Sequence, residues 1–164
     1  MAKEKIPSTQ AIRQLKSNKV EFKPYFYKYV EHGGTKESAK QLNLNEHRVV
    51  KTLVFEDNNK KPLIVLMNGD FEVSSKQLAR VVGSKKVELA NPQKAQKYTG
   101  YKVGGTSPFG LRTKMKVYAQ KDIFEFDSIV INGGQRGFLV EIKTDDVKKV
   151  LNPEIVDVAI ESNK

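Results

Sequence analysis

The chain has 164 residues, room for one domain with a core of its own and too little for two ordinary ones. Hydrophobic residues make up 38% and charged residues 29%, and 29 Lys and Arg against 19 Asp and Glu leave a net charge of +10. There is no Cys, which excludes thiolate nucleophiles, Fe–S clusters, Cys-built zinc sites and disulfides.

Ser8 or Thr9 is placed to cap a first helix, with Ile12 and Leu15 at helical spacing, ending near Asn18. Residues 20–30 alternate and are rich in aromatics (Phe22, Tyr25, Tyr27, Tyr29), which predicts a strand. Gly33-Gly34 is a break. Thr35 is placed to cap a second helix over residues 36–42, with Glu37 in the first turn, where the helix dipole favours an acid. Residues 48–55 form a β-branched run, expected as a buried strand. Asp57 to Lys61 is a turn and residues 63–67 return, which predicts a hairpin. Asn68-Gly69-Asp70 is another turn. Ser74 and Ser75 start a helix with Leu78, Val81 and Val82 on its apolar face, and Gly83 stops it. Residues 87–89 read as a short strand. Asn91-Pro92 starts a helix that Gly100 ends.

Residues 116–118, 128–132 and 138–142 read as three further strands. Thr144-Asp145-Asp146 caps a helix ending near Leu151, and residues 155–158 form a last short strand. With no repeat and no Pro/Gly/Ser linker, residues 1–164 read as one domain. Strands and helices mix without strict βαβ order. The predicted class is α+β, around a mixed, partly closed or barrel-like sheet.

Three features stand out. In a strand, Lys51 shares a face with Val49, Leu53 and Phe55. A charge there costs free energy unless it is paired or reaches water. It serves as an edge gatekeeper, as a side chain that snorkels, or as a cation in a cleft offering three donors to a carbonyl or phosphate. The second feature is the loop of residues 100–110, whose glycines let backbone approach a ligand and whose successive N–H groups suit an anion or oxyanion. An ordinary turn explains it equally. It has neither the P-loop nor the dinucleotide spacing. The third is Asn132-Gly133-Gly134-Gln135-Arg136-Gly137, where a hairpin turn accounts for Gly133-Gly134 and Arg136 is a surface charge or a phosphate contact.

The two histidines, His32 and His47, flank one helix and make no metal site. No Ser lies in GxSxG, and Asp57, Asp70, Asp127, Asp145 and Asp146 occupy turns and caps, where Asp serves structure. Any catalysis therefore rests on positioning and electrostatics, with no cofactor and no metal. The charge of +10 suits a polyanion and equally a solubilising surface; no helix pairs a Lys face with an aromatic one, which argues against a membrane partner. Residues 1–5 carry charge with no apolar stretch behind them, and the longest apolar run is residues 63–67, so a cytoplasmic location is expected.

Val49-Val50-Lys51-Thr52-Leu53-Val54, then Thr99-Gly100-Tyr101 leading into Val103-Gly104-Gly105-Thr106-Ser107-Pro108-Phe109-Gly110, then Asn132 to Gly137, resemble in order and spacing the YbaK/EbsC family. These are free-standing relatives of the editing domain of bacterial prolyl-tRNA synthetases, and the resemblance covers residues 8 to 160. It implies a mixed, partly closed sheet surrounded by helices. It also implies deacylation in trans of mischarged aminoacyl-tRNA, Cys-tRNA(Pro) first, with Ala-tRNA(Pro) or another small amino acid, or a catalytically silent tRNA-binding module, as alternatives. The family's key lysine maps onto Lys51, its glycine loop onto Gly104, Gly105, Thr106, Ser107, Pro108, Phe109 and Gly110, and a tyrosine of the Cys-specific members onto Tyr27. Asn132, Gly133, Gly134 and Arg136 fall in the matching turn. Where Cys-specific members often carry Ser and Asp, this chain has Asn132 and Leu139. The resemblance implies tRNA as partner, with prolyl-tRNA synthetase as a second one, and a monomer or weak homo-oligomer.

Overall fold

A computed structural model describes residues 5–161, and three of the five α-helices among them begin where the sequence supplies a side-chain acceptor. The Thr9 hydroxyl accepts from the Ile12 N–H at 3.1 Å at the start of α1 (Gln10–Ser17). Ser74 does the same for α3 (Ser75–Val82), and Asn91 for α4 (Pro92–Thr99). Gly83 and Gly100 end the last two, as expected. The second helix, α2 (Gly34–Leu42), starts ahead of Thr35 and has no side-chain cap. Thr35 lies inside it and turns its hydroxyl to the Glu46 carboxylate and the Gly69 carbonyl. In α5 (Thr144–Leu151) the Thr144 hydroxyl likewise leaves the helix and donates to the Phe126 carbonyl at 2.8 Å.

The strands are β1 (Lys23–Phe26), β2 (Val49–Asp57), β3 (Pro62–Asn68), β4 (Phe71–Val73), β5 (Val87–Leu89), β6 (Lys116–Gln120), β7 (Ser128–Gln135), β8 (Phe138–Lys143), β9 (Glu154–Val156) and β10 (Ala159–Glu161). The strand expected over residues 20–30 shrinks to β1. Beyond it the Gln41 side chain takes both the N–H and the C=O of Lys28, at 2.8 Å each, in place of a ladder partner. The strand expected at residues 155–158 ends at Val156 as β9, which pairs in parallel with β6, and beyond it β10 pairs antiparallel with β4, two strands the sequence did not announce.

Eight strands form one mixed sheet in the order β1-β8-β7-β2-β3-β6-β9, with β5 also on β2. The terminal strands β1 and β9 do not pair among the described residues, so the fold is α+β with an open sheet and no closed barrel. Among the described residues no helix is long and apolar enough to cross a membrane.

Alternation along β2 and β3 sorts the core. Val50, Val54, Ile64 and Leu66 point to one face and join Ile131, Val140 and the α1 residues Ile12 and Leu15. The other face divides in two. Phe55, Val65 and Met67 pack under Leu78 and Ala79 of α3, while Val49, Val130 and Leu139 pack under Ala39 of α2. Leu53 packs on the α3 cluster, so Lys51, between Val49 and Leu53 on that face, falls between the two. On that stretch β2 also loses a neighbour. Strand β7 pairs with it only at Val49 and Val50, and β5 only from Phe55 to Asp57. Past β5, the Ala90 N–H also donates to the Val54 carbonyl, at 2.9 Å, so the sheet is open beside residues 51–53.

Glu56 in β2 is 4% exposed and accepts from the Tyr98 hydroxyl at 2.6 Å and from Lys94 Nζ at 3.4 Å. The Tyr98 bond outweighs burial and holds the carboxyl below its ordinary value of 4.5. A lowered value stabilises the fold at any pH above 4.5, and the benefit is lost as pH falls through the folded-state pKa. Tyr98→Phe is expected to cost about 1.5–3 kcal/mol at neutral pH. The gap in melting temperature from the wild type narrows as the buffer is taken below pH 4.5.

Candidate active site

The loop between α4 and β6 closes at its neck. Arg112 N–H donates to the Thr99 carbonyl at 3.2 Å and Thr113 N–H to the Tyr98 carbonyl at 2.9 Å. Within it, the buried Tyr101 hydroxyl donates to the Phe109 carbonyl at 2.5 Å, and burial pushes its phenol up to about 12. Gly110 N–H is taken by the Gln14 side chain at 2.6 Å, and Phe109 N–H by the buried Ser107 hydroxyl at 3.2 Å. Ser107 is thus a structural acceptor. Pro108 and Phe109 are buried, and the Thr106 hydroxyl donates to the Lys102 carbonyl. Gly105 N–H, one of the anion donors expected from the sequence, also turns back to the Lys102 carbonyl at 2.9 Å. Among the described residues the N–H groups of Gly104, Thr106 and Ser107 have no acceptor.

The loop packs on the turn between β7 and β8. The two-residue turn is Arg136-Gly137, not Gly133-Gly134, which lie in an irregular stretch of β7. Asn132 explains the shift: its Oδ1 accepts from Gly134 N–H at 2.6 Å and Gln135 N–H at 3.1 Å, gathering an extra bend into the strand. Its Nδ2 donates to the Gly104 carbonyl at 3.1 Å, and Arg136 Nε donates to the Val103 carbonyl at 2.8 Å while stacking over Tyr29 at 4.8 Å. A Cβ on Gly105 would sit 2.8 Å from Arg136 N, so backbone meets backbone there. Thr9 donates to the Gly133 carbonyl at 2.6 Å and ties α1 to the same point. Tyr27 lies one strand away: its N–H donates to the Gly137 carbonyl at 3.0 Å, its ring packs on the cluster with Leu139, and burial pushes its phenol up. Leu139 is core.

Strand register sets the Lys51 backbone just past Val50, which lies opposite Ile131, the residue before Asn132, and among the described residues no hydrogen bond joins the Lys51 side chain to the loop or the β7–β8 turn. Its one side-chain hydrogen bond among the described residues goes elsewhere, from Nζ to the Gly69 carbonyl at 3.3 Å. Burial lowers the ammonium's pKa from 10.5, against the opposing pull of Glu72, Glu46 and Asp70. The structure thus shows the Lys51 surroundings to include the Asn68-Gly69-Asp70 turn, which sequence reasoning treated as connection alone. The signal was available: the hairpin register sets Lys51 opposite Met67, so the residues just past β3 must return beside Val49. His47 joins them, with Nδ1 2.7 Å from Asp70 Oδ1. Thr52 Oγ1 and Asn68 Oδ1, both buried near this turn, have no partner among the described residues.

His47, Asp122 and Glu125 each offer a ligand atom within 4.8 Å of the other two, a geometry open to a cation. Glu125 is exposed, and a carboxylate in water needs no ion. A cavity of about 350 Å³ lies against the loop, lined by Pro92, Gln93, Gln96, Lys102, Val103 and Arg136. A wider one of about 820 Å³, lined among others by Phe22, Lys23, Phe126, Glu141 and Lys148, touches none of the sequence-predicted residues.

Residues 32–150, which span Lys51, the loop and the turn, match the aminoacyl-tRNA editing domain. The chain belongs to that family. It is accordingly an aminoacyl-tRNA hydrolase. Over 160 residues, 96% of this chain and 98% of the relative, it is 29% identical to EbsC of Enterococcus faecalis, named as a candidate Cys-tRNA(Pro)/Cys-tRNA(Cys) deacylase. Over 96 residues, 58% of each chain, it is 31% identical to the multifunctional Ser/Thr-tRNA deacylase ProXp-y of Escherichia coli K12. A solved candidate trans-editing enzyme for prolyl tRNA synthetase superposes with a TM-score of 0.81 at 20% identity, covering 94% of this chain and 99% of that one, which establishes likeness of fold.

Gly69 carries the Lys51 acceptor, and a Cβ there would lie 2.6 Å from Thr35 Oγ1, 2.7 Å from the Val49 carbonyl and 2.8 Å from the Glu46 carbonyl. Two of these are backbone and cannot yield. Gly69→Ala is expected to destabilise by about 1–3 kcal/mol, seen as a lower denaturant midpoint at unchanged slope.

Proposed function

We propose that this protein deacylates mischarged tRNA in trans, with Cys-tRNA(Pro) the first substrate to test and tRNA(Pro) carrying Ala, Ser or Thr next. The whole chain then serves as one editing domain, as its near end-to-end match to EbsC suggests. The observation that carries the reading is the opening beside β2. Lys51 projects into a sheet face there, and the neighbouring loop holds three uncommitted N–H groups on a braced backbone.

An aminoacyl ester is already activated, so modest help suffices. Water attacks the carbonyl carbon, an oxyanion forms, the bond to the ribose oxygen breaks, and that oxygen takes up the proton the attacking water gives up. The N–H groups of Gly104 and Thr106, on residues that reach the surface, suit the oxyanion, and fixed donors cost no reorganisation during the reaction. Lys51 serves as the cation for the ester carbonyl or the terminal phosphate. Asn132 and Arg136 act by holding the loop, since their side chains are engaged with it. The remaining basic residues supply attraction for the tRNA backbone.

Lys51→Ala is expected to lower kcat/KM for Cys-tRNA(Pro) by about 100-fold or more, the scale of losing one electrostatic contact in a transition state, at unchanged melting temperature. Equal rates would remove Lys51 from the reaction, and no turnover of any of the four esters would overturn the substrate class. KM should also rise steeply with salt, and a salt-independent KM would assign the +10 charge to solubility alone.

A further inference from the structure

The geometry points to His47 and Asp70 as positioning residues that fix where the Lys51 ammonium sits. The inference rests on the deacylase reading of Lys51. The acceptor for Nζ is a main-chain carbonyl, Gly69 O, so the ammonium goes where the turn puts that atom. Four links hold the turn. Gly69 N–H donates to the Val49 carbonyl at 2.7 Å, and the Thr35 hydroxyl lies 3.1 Å from the Gly69 carbonyl. The other two run through His47: Asn68 Nδ2 donates to its carbonyl at 2.8 Å, and its ring is 2.7 Å from Asp70. A carboxylate accepts and does not donate, so His47 Nδ1 carries the hydrogen.

The imidazole cannot rotate freely away from this bond. It stands edge-on to Phe71, ring centres 4.9 Å apart, and to Phe126, at 5.5 Å. Phe71 follows Asp70 directly, and Phe126 precedes β7, so the ring is wedged between the turn and the neighbouring connection. Asp122 and Glu125, on that same connection, complete the charged groups facing the ring.

Charge adds a second reason. Lys51 has three carboxylates near it, Glu46, Asp70 and Glu72. Asp70 alone among them is held by a fixed ring, and Glu72 is exposed. A half-buried ammonium feels a nearby charge more than a solvated one does, so Asp70, whose pull comes after those of Glu72 and Glu46, adds from a fixed position to the field that favours the charged form of Nζ. An ordinary turn needs neither the His47 ring nor a carboxylate aimed at it.

The test separates positioning from packing. His47→Ala removes the donor and the wedge. His47→Asn keeps a donor near the Nδ1 position. Asp70→Asn keeps the shape and removes the charge. Displacing a reacting group by about 1 Å costs up to 100-fold, so kcat for the ester that the wild type cleaves should fall by about 10- to 100-fold in His47→Ala and Asp70→Asn, with KM within about threefold. His47→Asn should recover most of kcat. Equal loss in His47→Ala and His47→Asn, or no loss in either, overturns the inference.

A substrate-free measurement keeps it decidable if the protein cleaves none of the esters tried, or if His47→Ala does not fold. In protein labelled at lysine Cε, the Lys51 resonance of Asp70→Asn should titrate at lower pH than in the wild type, with His47→Asn unchanged. An unmoved Lys51 titration in Asp70→Asn overturns the inference whatever the activity.

Discussion

An ammonium group cannot be left in an apolar sheet face without partners, and Lys51 is placed in one. Val49 and Phe55, on its own side of β2, are almost fully buried. The rest of the site follows from what the chain does to tolerate that charge. The apolar face is divided into two clusters, under α2 and α3, so that the lysine lies on their boundary and not inside either. A carbonyl is brought to it by a turn too tight for any side chain, and three carboxylates stand nearby. Those same acids oppose the loss of the proton that burial favours.

A division of labour runs through the remaining residues. Asn132, Arg136, Thr9, Gln14 and Tyr101 spend their polar atoms on the glycine loop and its supporting turn. Ser107 gives its hydroxyl to the loop itself. The loop is therefore rigid by construction. Its uncommitted donors belong to the backbone, and backbone donors held this way are already oriented before a substrate arrives. The lack of Cys and the scarcity of His fit a loop whose free donors are main-chain groups.

The parts of the fold governed by local rules were legible in the sequence. Ser74 and Asn91 cap the helices they were expected to cap, Gly83 and Gly100 end them, and the β2–β3 hairpin forms around Asp57. The errors share a different cause. Thr35 and Thr144 look like caps but spend their hydroxyls on distant carbonyls. The bend at Gly133-Gly134 depends on Asn132, and the shortness of β1 depends on Gln41, thirteen residues from its partner Lys28. The same limit applies at the site. Lys51 and the loop could be picked out by their composition, whereas His47 and Asp70 read as a spare histidine and a turn acid until register brought them together. A side chain's partner at long range is fixed by tertiary packing, and no local pattern carries that information.

The closed neck of the loop has a consequence for divergence. Its ends meet at Thr99 and Arg112 and at Tyr98 and Thr113, so the segment between them leaves and rejoins the fold at one point, and its remaining ties run from its backbone to Gln14, Asn132 and Arg136. Replacing residues at its tip, such as Lys102, Val103 or Thr106, leaves the strands it joins undisturbed. The side chains of this segment can therefore diverge while the sheet that holds Lys51 stays as it is.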